Sequence, residues 1–128
     1  MLFVILVLPL TSCMERKTDN PMDSYTLWSG QAPDKQVSVT HGKYWESAHF
    51  TREYIVYLEL TAPPSWVDKY VAKNKLTRFT KEIILPTDKP VWFKLPQRFI
   101  AWKHPQDEQS IYIEDTETAN FFIYEEQL

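Results

Sequence analysis

The chain has 128 residues, 44% hydrophobic, 15% aromatic and 24% charged, which is the composition of a single folded domain with an aromatic excess and excludes a wholly disordered chain. A net charge of −3 argues against a polyanionic partner such as nucleic acid. One cysteine excludes an intramolecular disulfide, and two glycines, Gly30 and Gly42, exclude a phosphate-cradling glycine-rich loop.

Residues 2–10 form an unbroken apolar run, Leu-Phe-Val-Ile-Leu-Val-Leu-Pro-Leu. It is too short for a bilayer-spanning helix, which needs roughly 20 residues, and it suits the apolar region of a secretory signal. Directly behind it stands Leu10-Thr11-Ser12-Cys13, an aliphatic residue, two small residues and the only cysteine of the chain. This stretch resembles the lipobox of bacterial lipoproteins. The resemblance implies a signal peptide over residues 1–12, cleavage before Cys13, a lipid on the Cys13 sulfur and acylation of the new amino terminus. Acyl chains contribute about 0.8 kcal/mol per buried methylene, so several together hold a protein on a membrane without a spanning helix. The pattern departs from the class at one point: no Lys or Arg precedes Arg16. Met14 follows the cysteine where Asp would favour inner-membrane retention, which implies the periplasmic side of the outer membrane for a Gram-negative source.

Residues 14–35 are polar and interrupted by prolines, which predicts a tether behind the lipidated cysteine, with Tyr25, Leu27 and Trp28 available to dock on the domain. The domain is expected over residues 36–128. Val37 and Val39 alternate with polar neighbours as in a strand, and His41-Gly42-Lys43 reads as a turn. Between residues 44 and 59 the chain is rich in aromatic and β-branched residues. The clearest strand lies over residues 53–60, with Tyr54, Val56, Leu58 and Leu60 on one face and Ile55, Tyr57 and Glu59 on the other.

Pro63-Pro64 ends that strand. A helix is expected over residues 65–74, capped by Ser65 with Asp68 answering back, carrying Val67, Tyr70 and Val71 on one face and closed by Asn74 in the left-handed conformation. Residues 82–85 read as a short strand stopped by Pro86. Residues 90–96, between two prolines, read as an extended edge segment with Val91, Phe93 and Leu95 opposite Trp92. Residues 98–103 form a further strand candidate in which Ile100 and Trp102 oppose Phe99. Residues 109–115 and 120–126 predict a terminal hairpin with a loop longer than two residues, Ile111 and Ile113 facing Phe121 and Ile123. One helix on a face of a mostly antiparallel sheet is an α+β fold.

Few residues carry recognisable chemistry. Glu46 and His49 have the i, i+3 spacing of half a metal site, and His41, His49 and Glu53 could gather around a metal in a small hydrolytic or metal-dependent enzyme. That spacing works on a helix and these residues fall in strand or turn, so ordinary polar side chains are expected instead, with no metal and no cofactor. His104 sits in a polar loop with Pro105, Gln106, Asp107 and Glu108. Adjacent acids such as Glu125-Glu126 point to opposite faces of a strand and cannot flank one bond. No nucleophile has a catalytic context. Trp92 and Trp102 are the aromatic residues most open to a binding role, since tryptophans are enriched at recognition sites.

Charge is unevenly spread: Lys69, Lys73, Lys75, Arg78 and Lys81 crowd one stretch without an acid. The acids Asp107, Glu108, Glu114, Asp115, Glu117, Glu125 and Glu126 fill the C-terminal stretch without Lys or Arg. Either the two regions face each other, or the acidic one, Glu114 and Asp115 included, attracts a cationic protein. The basic stretch could also meet anionic headgroups. The function expected is therefore non-catalytic protein binding in the bacterial envelope, as an accessory or immunity-type protein. The alternatives are the metal-dependent enzyme above and a cell-wall-contacting scaffold with a glycan-binding aromatic face.

Overall fold

A computed structural model describes residues 14–48 and 52–128. Strands β1 (Arg16–Thr18), β2 (Ser38–Glu46), β3 (Tyr54–Thr61), β4 (Thr77–Arg78), β5 (Phe99–Lys103), β6 (Ile111–Asp115) and β7 (Asn120–Gln127) and helices α1 (Pro21–Ser29) and α2 (Pro64–Lys73) make up its regular structure. All seven strands join one antiparallel sheet in the order β1-β2-β3-β7-β6-β5-β4. The α+β class is as expected from sequence, and the sheet dominates it more than one helix on a face implied.

The stretch expected as a tether holds β1 and α1. The Asn20 side chain accepts a hydrogen bond from the Asp23 N–H at 3.0 Å, Pro21 opens the helix, and Gly30 closes it at φ 80° with its N–H on the Thr26 carbonyl. An Asn cap, a proline in the first turn and a left-handed glycine at the end are the local chemistry of a helix, even where prolines are frequent. Tyr25 is buried under it.

Helix α2 begins one residue earlier than expected. Pro63 stands at the cap without a side-chain hydrogen bond, its carbonyl takes the Trp66 and Val67 N–H groups, and Ser65 lies inside the helix. The left-handed residue at its end is Lys75 (φ 54°), not Asn74, whose amide donates to the Tyr70 carbonyl instead. The Leu76 N–H reaches back to the Val71 carbonyl at 3.0 Å, which closes the helix and drops Leu76 into the core.

His41-Gly42-Lys43 is not a turn but the middle of β2, opposite Glu59, Leu58 and Tyr57. The glycine serves close approach: a Cβ there would stand 2.7 Å from Ser24 Cβ and 3.1 Å from Pro21 Cα of α1. Residues 82–85 and 90–96 form no strand. The segment 79–98 crosses one face of the sheet as an irregular strap, turned by hydrogen bonds from Lys89 to Pro86 and from Phe93 to Pro90. Pro86, Pro90 and Pro96 lack the N–H groups that a ladder would need. Within it Phe93 is buried while Val91 is 81% exposed, so the two do not share a face.

Both faces of the sheet are apolar. Val56, Leu58, Leu60, Tyr112, Phe121 and Ile123 pack under α1 and α2; Tyr57, Ala101, Ile111, Ile113, Phe122 and Tyr124 pack under the strap with Phe79, Ile83, Leu85 and Phe93. The terminal hairpin is therefore in a different register from the one expected. Ile111 and Ile113 pair with Tyr124 and Phe122, and Phe121 and Ile123 lie on the helix side with Tyr112. With consecutive apolar residues at 111–113 and 121–124, alternation carries no mark of which face is which.

Candidate functional site

A wide concavity follows from the strap. Where residues 79–88 cross the sheet they leave a groove of about 660 Å³, floored by Ile55 and Tyr57 of β3, Ile111 of β6 and Tyr124 of β7 and walled by Phe79, Ile83 and Leu85. The Tyr57 and Tyr124 rings lie 4.9 Å apart on this floor, and the Tyr124 hydroxyl donates to the Glu126 carboxylate.

The rim is acidic. Glu82, Asp88, Glu108 and Glu126 border the groove, against one cation, Lys103. That cation is engaged: its Nζ donates to the Glu108 carbonyl at 2.9 Å and lies 4.5 Å from the centre of the Phe79 ring. Burial raises the pKa of the Tyr57 phenol, and the charges of Asp88 and Glu126 raise it further. Burial likewise raises that of Tyr124, helped by its hydrogen bond to Glu126 and by that carboxylate's charge. Both phenols stay neutral across the physiological range, as donors in a negative field. At the lip Ile84 is 87% exposed, an apolar side chain that nothing among the described residues covers. A long irregular segment in a compact domain, with exposed apolar residues on a concave edge, is the usual form of a binding surface.

The residues singled out from sequence do not converge on one site. Trp102 and Glu114 meet across β5 and β6, the indole Nε1 donating to the carboxylate at 3.3 Å, with the Arg78 guanidinium 5.9 Å from the Trp102 ring. Trp92 belongs to the strap on the other face, half-buried and stacked on His41 at 4.9 Å, rather than exposed on an edge strand. The His41 Nδ1 in turn lies 2.9 Å from a Glu59 carboxylate oxygen. Asp115 ends β6 and accepts the Glu117 and Thr118 N–H groups of the turn that follows, which hold its carboxyl below the usual range against the opposing effect of burial. Cys13 and His49 lie outside the described residues. His41 faces Glu59, and five steps along β3, roughly 17 Å, separate Glu59 from Tyr54, the neighbour of Glu53. Among the described residues no group of three or more His, Cys, Asp or Glu side chains is placed to hold a metal ion. His104 lies between β5 and β6, where its Nδ1 accepts the Gln106 N–H.

The two charged stretches behave differently. Most C-terminal acids already have partners within the chain. Glu125 takes hydrogen bonds from Trp28, Tyr54 and Tyr112, Glu117 pairs with Arg98, and Asp107 accepts the Gln109 and Ser110 N–H groups. Only Glu108 and Glu126 of that stretch join Glu82 and Asp88 around the groove. Lys69, Lys73, Lys75, Arg78 and Lys81 are all exposed, and none takes part in an ion pair among the described residues, so the basic and acidic stretches do not neutralise each other. Glu82, Asp88 and Ile84 were not legible as site residues in the sequence. The alternation in β3 does place Tyr57 on the groove face, but nothing local tells which loop will cross it.

Compared with family models, with curated proteins and with solved structures, the chain matches none. Among the described residues no helix is long and apolar enough to cross a membrane.

Proposed function

We propose that this protein is a lipid-anchored module of the bacterial envelope that binds a cationic protein partner without catalysing a reaction, as an accessory or immunity-type protein. The observation that carries the binding role is the groove under the strap: an aromatic and aliphatic floor, four carboxylates against one engaged lysine at its rim, and the uncovered Ile84 at its lip. A basic segment with alternating apolar side chains meets each of these in turn. The carboxylates speed its capture and select its charge, and the floor supplies the apolar contact that slows its release. The envelope location rests on the lipobox-like residues 10–13. Only Met14 and Glu15 stand between Cys13 and β1, so a lipid on that sulfur would hold the sheet edge within about 10 Å of the headgroups.

Two measurements test this. In a bacterial host, radiolabelled palmitate is expected to enter the wild-type protein and not Cys13→Ala; equal labelling of both removes the anchor. Immobilised protein is expected to retain a basic envelope protein whose capture falls steeply with salt. Reversing two rim charges, Glu82→Lys with Asp88→Lys, should weaken that capture at least tenfold, about 1.4 kcal/mol. Capture that ignores both salt and the double reversal would remove the groove from the function.

A further inference from the structure

The opposite face of the sheet holds a second cavity, of about 540 Å³, between α1, α2 and the connection from α1 to β2. That volume suits one small ligand. Its walls are aromatic to an unusual degree: Tyr25 and Trp28 from α1, Tyr54 from β3, Trp66 and Tyr70 from α2. At its floor the Glu125 carboxylate accepts three hydrogen bonds. One oxygen accepts from Trp28 Nε1 at 2.6 Å and from the Tyr54 hydroxyl at 2.9 Å, and the other from the Tyr112 hydroxyl at 2.6 Å. Its work is to fix the rings. At the mouth stand Lys69 and Lys73, one helical turn apart, both exposed and in no ion pair among the described residues; Asp34 and Gln31 border the other side.

Charge and ring geometry select the occupant. A cation would meet the two lysines on entering, and the one carboxylate on the floor already accepts three hydrogen bonds. A flat aromatic ligand needs parallel ring faces to slide between. Here Tyr25 and Trp28 meet at 73° and Trp28 and Tyr70 at 40°, while the parallel pair, Trp66 and Tyr70 at 16°, is stacked on itself. Faces set at angles suit a puckered ring that presents C–H groups on more than one side. Asn74 spends its amide N–H on the Tyr70 carbonyl at 2.9 Å, which leaves its side-chain oxygen to accept from a ligand hydroxyl, and Gln31 offers both functions.

We propose that this cavity binds a pyranose sugar bearing a carboxylate, the sugar ring against Trp28, Trp66 and Tyr70 and the carboxylate at Lys69 and Lys73. The site is independent of the groove under the strap, and it stands or falls separately.

The test uses two probes that differ by one acidic group, N-acetylmuramic acid and N-acetylglucosamine, titrated into the purified protein. The indole N–H signals of Trp28 and Trp66 are followed by NMR. The acid should shift both signals saturably, and the neutral sugar should bind at least tenfold more weakly. The variant Lys69→Glu with Lys73→Glu changes two exposed side chains; it should keep the wild-type spectrum elsewhere and lose the preference for the acid. Trp66→Ala should lose both sugars. Equal binding of the two probes, a preference that survives the double lysine variant, or no shift of either indole up to about 20 mM acid would overturn the proposal.

Discussion

Glu125 ties three elements of the fold together. Three donors from three elements, Trp28 of α1, Tyr54 of β3 and Tyr112 of β6, end on its two oxygens. Burial, and the nearby Glu125 charge after it, raise the pKa of the Tyr54 phenol. For Tyr112 burial again comes first, with neighbouring Tyr70 and then the Glu125 charge adding to it. The donors thus remain protonated and the network stays intact at ordinary pH. Glu125→Ala strands all three donors in a half-buried site and should cost about 3 kcal/mol, read as a lower urea midpoint at unchanged slope; Glu125→Gln keeps one acceptor oxygen and should lose less. Its neighbour Glu126 points the other way, to Tyr124 under the strap. That separation was legible in the sequence, because adjacent strand residues alternate. The partners were not, because they lie from 13 to 97 positions away.

Helix α1 shows how local signals can be outvoted by composition. Asn20-Pro21 and Gly30 spell a start and a stop, yet only Tyr25, Leu27 and Trp28 supply apolar surface, too few for a visible periodicity. What holds the helix is its seat on β2, and Gly42 makes that seat possible. Gly42→Ala should push α1 off the sheet at a cost of about 2 kcal/mol, with faster amide exchange concentrated in residues 21–30. Exchange spread evenly over the sheet would show that α1 is not the element displaced. Helix α2 was legible to within a residue because its apolar stripe, Val67, Tyr70 and Val71, falls at the helical repeat. Its cap was not, because Pro63-Pro64 can equally end a strand or open a helix.

In the molecule as a whole, one sheet separates two cores, and each is closed differently. Helices cover one face with regular hydrogen bonding. The strap covers the other chiefly through side chains, Phe93, Ile83 and Leu85 among them, with Trp92 laid on His41; its backbone is tied down at its two ends, where the Phe79 N–H donates to the Ala101 carbonyl and the Arg98 carbonyl accepts the Thr116 N–H. The strap should therefore open before the sheet does. Trp92→Ala removes a half-buried ring and is expected to lower stability by about 2 kcal/mol and to raise amide exchange across residues 79–98, while β3 and β7 keep their protection. A uniform rise would mean that the strap and sheet open as one unit. Partner capture by this variant should weaken only as far as the groove wall loosens, since Trp92 does not line the groove.

From residue types alone followed an antiparallel α+β domain, the span of β3, the hairpin of β6 and β7, and the opposed faces of neighbouring strand residues. These depend on interactions along the chain, where alternation and proline act within a few positions. The register of that hairpin, the conversion of two expected strands into a strap, and both cavities depend on which distant segments meet. A sheet apolar on both faces has no polar side to mark its register, and Glu82 near Tyr57, or Lys69 near Trp28, are neighbours only once the whole sheet has assembled.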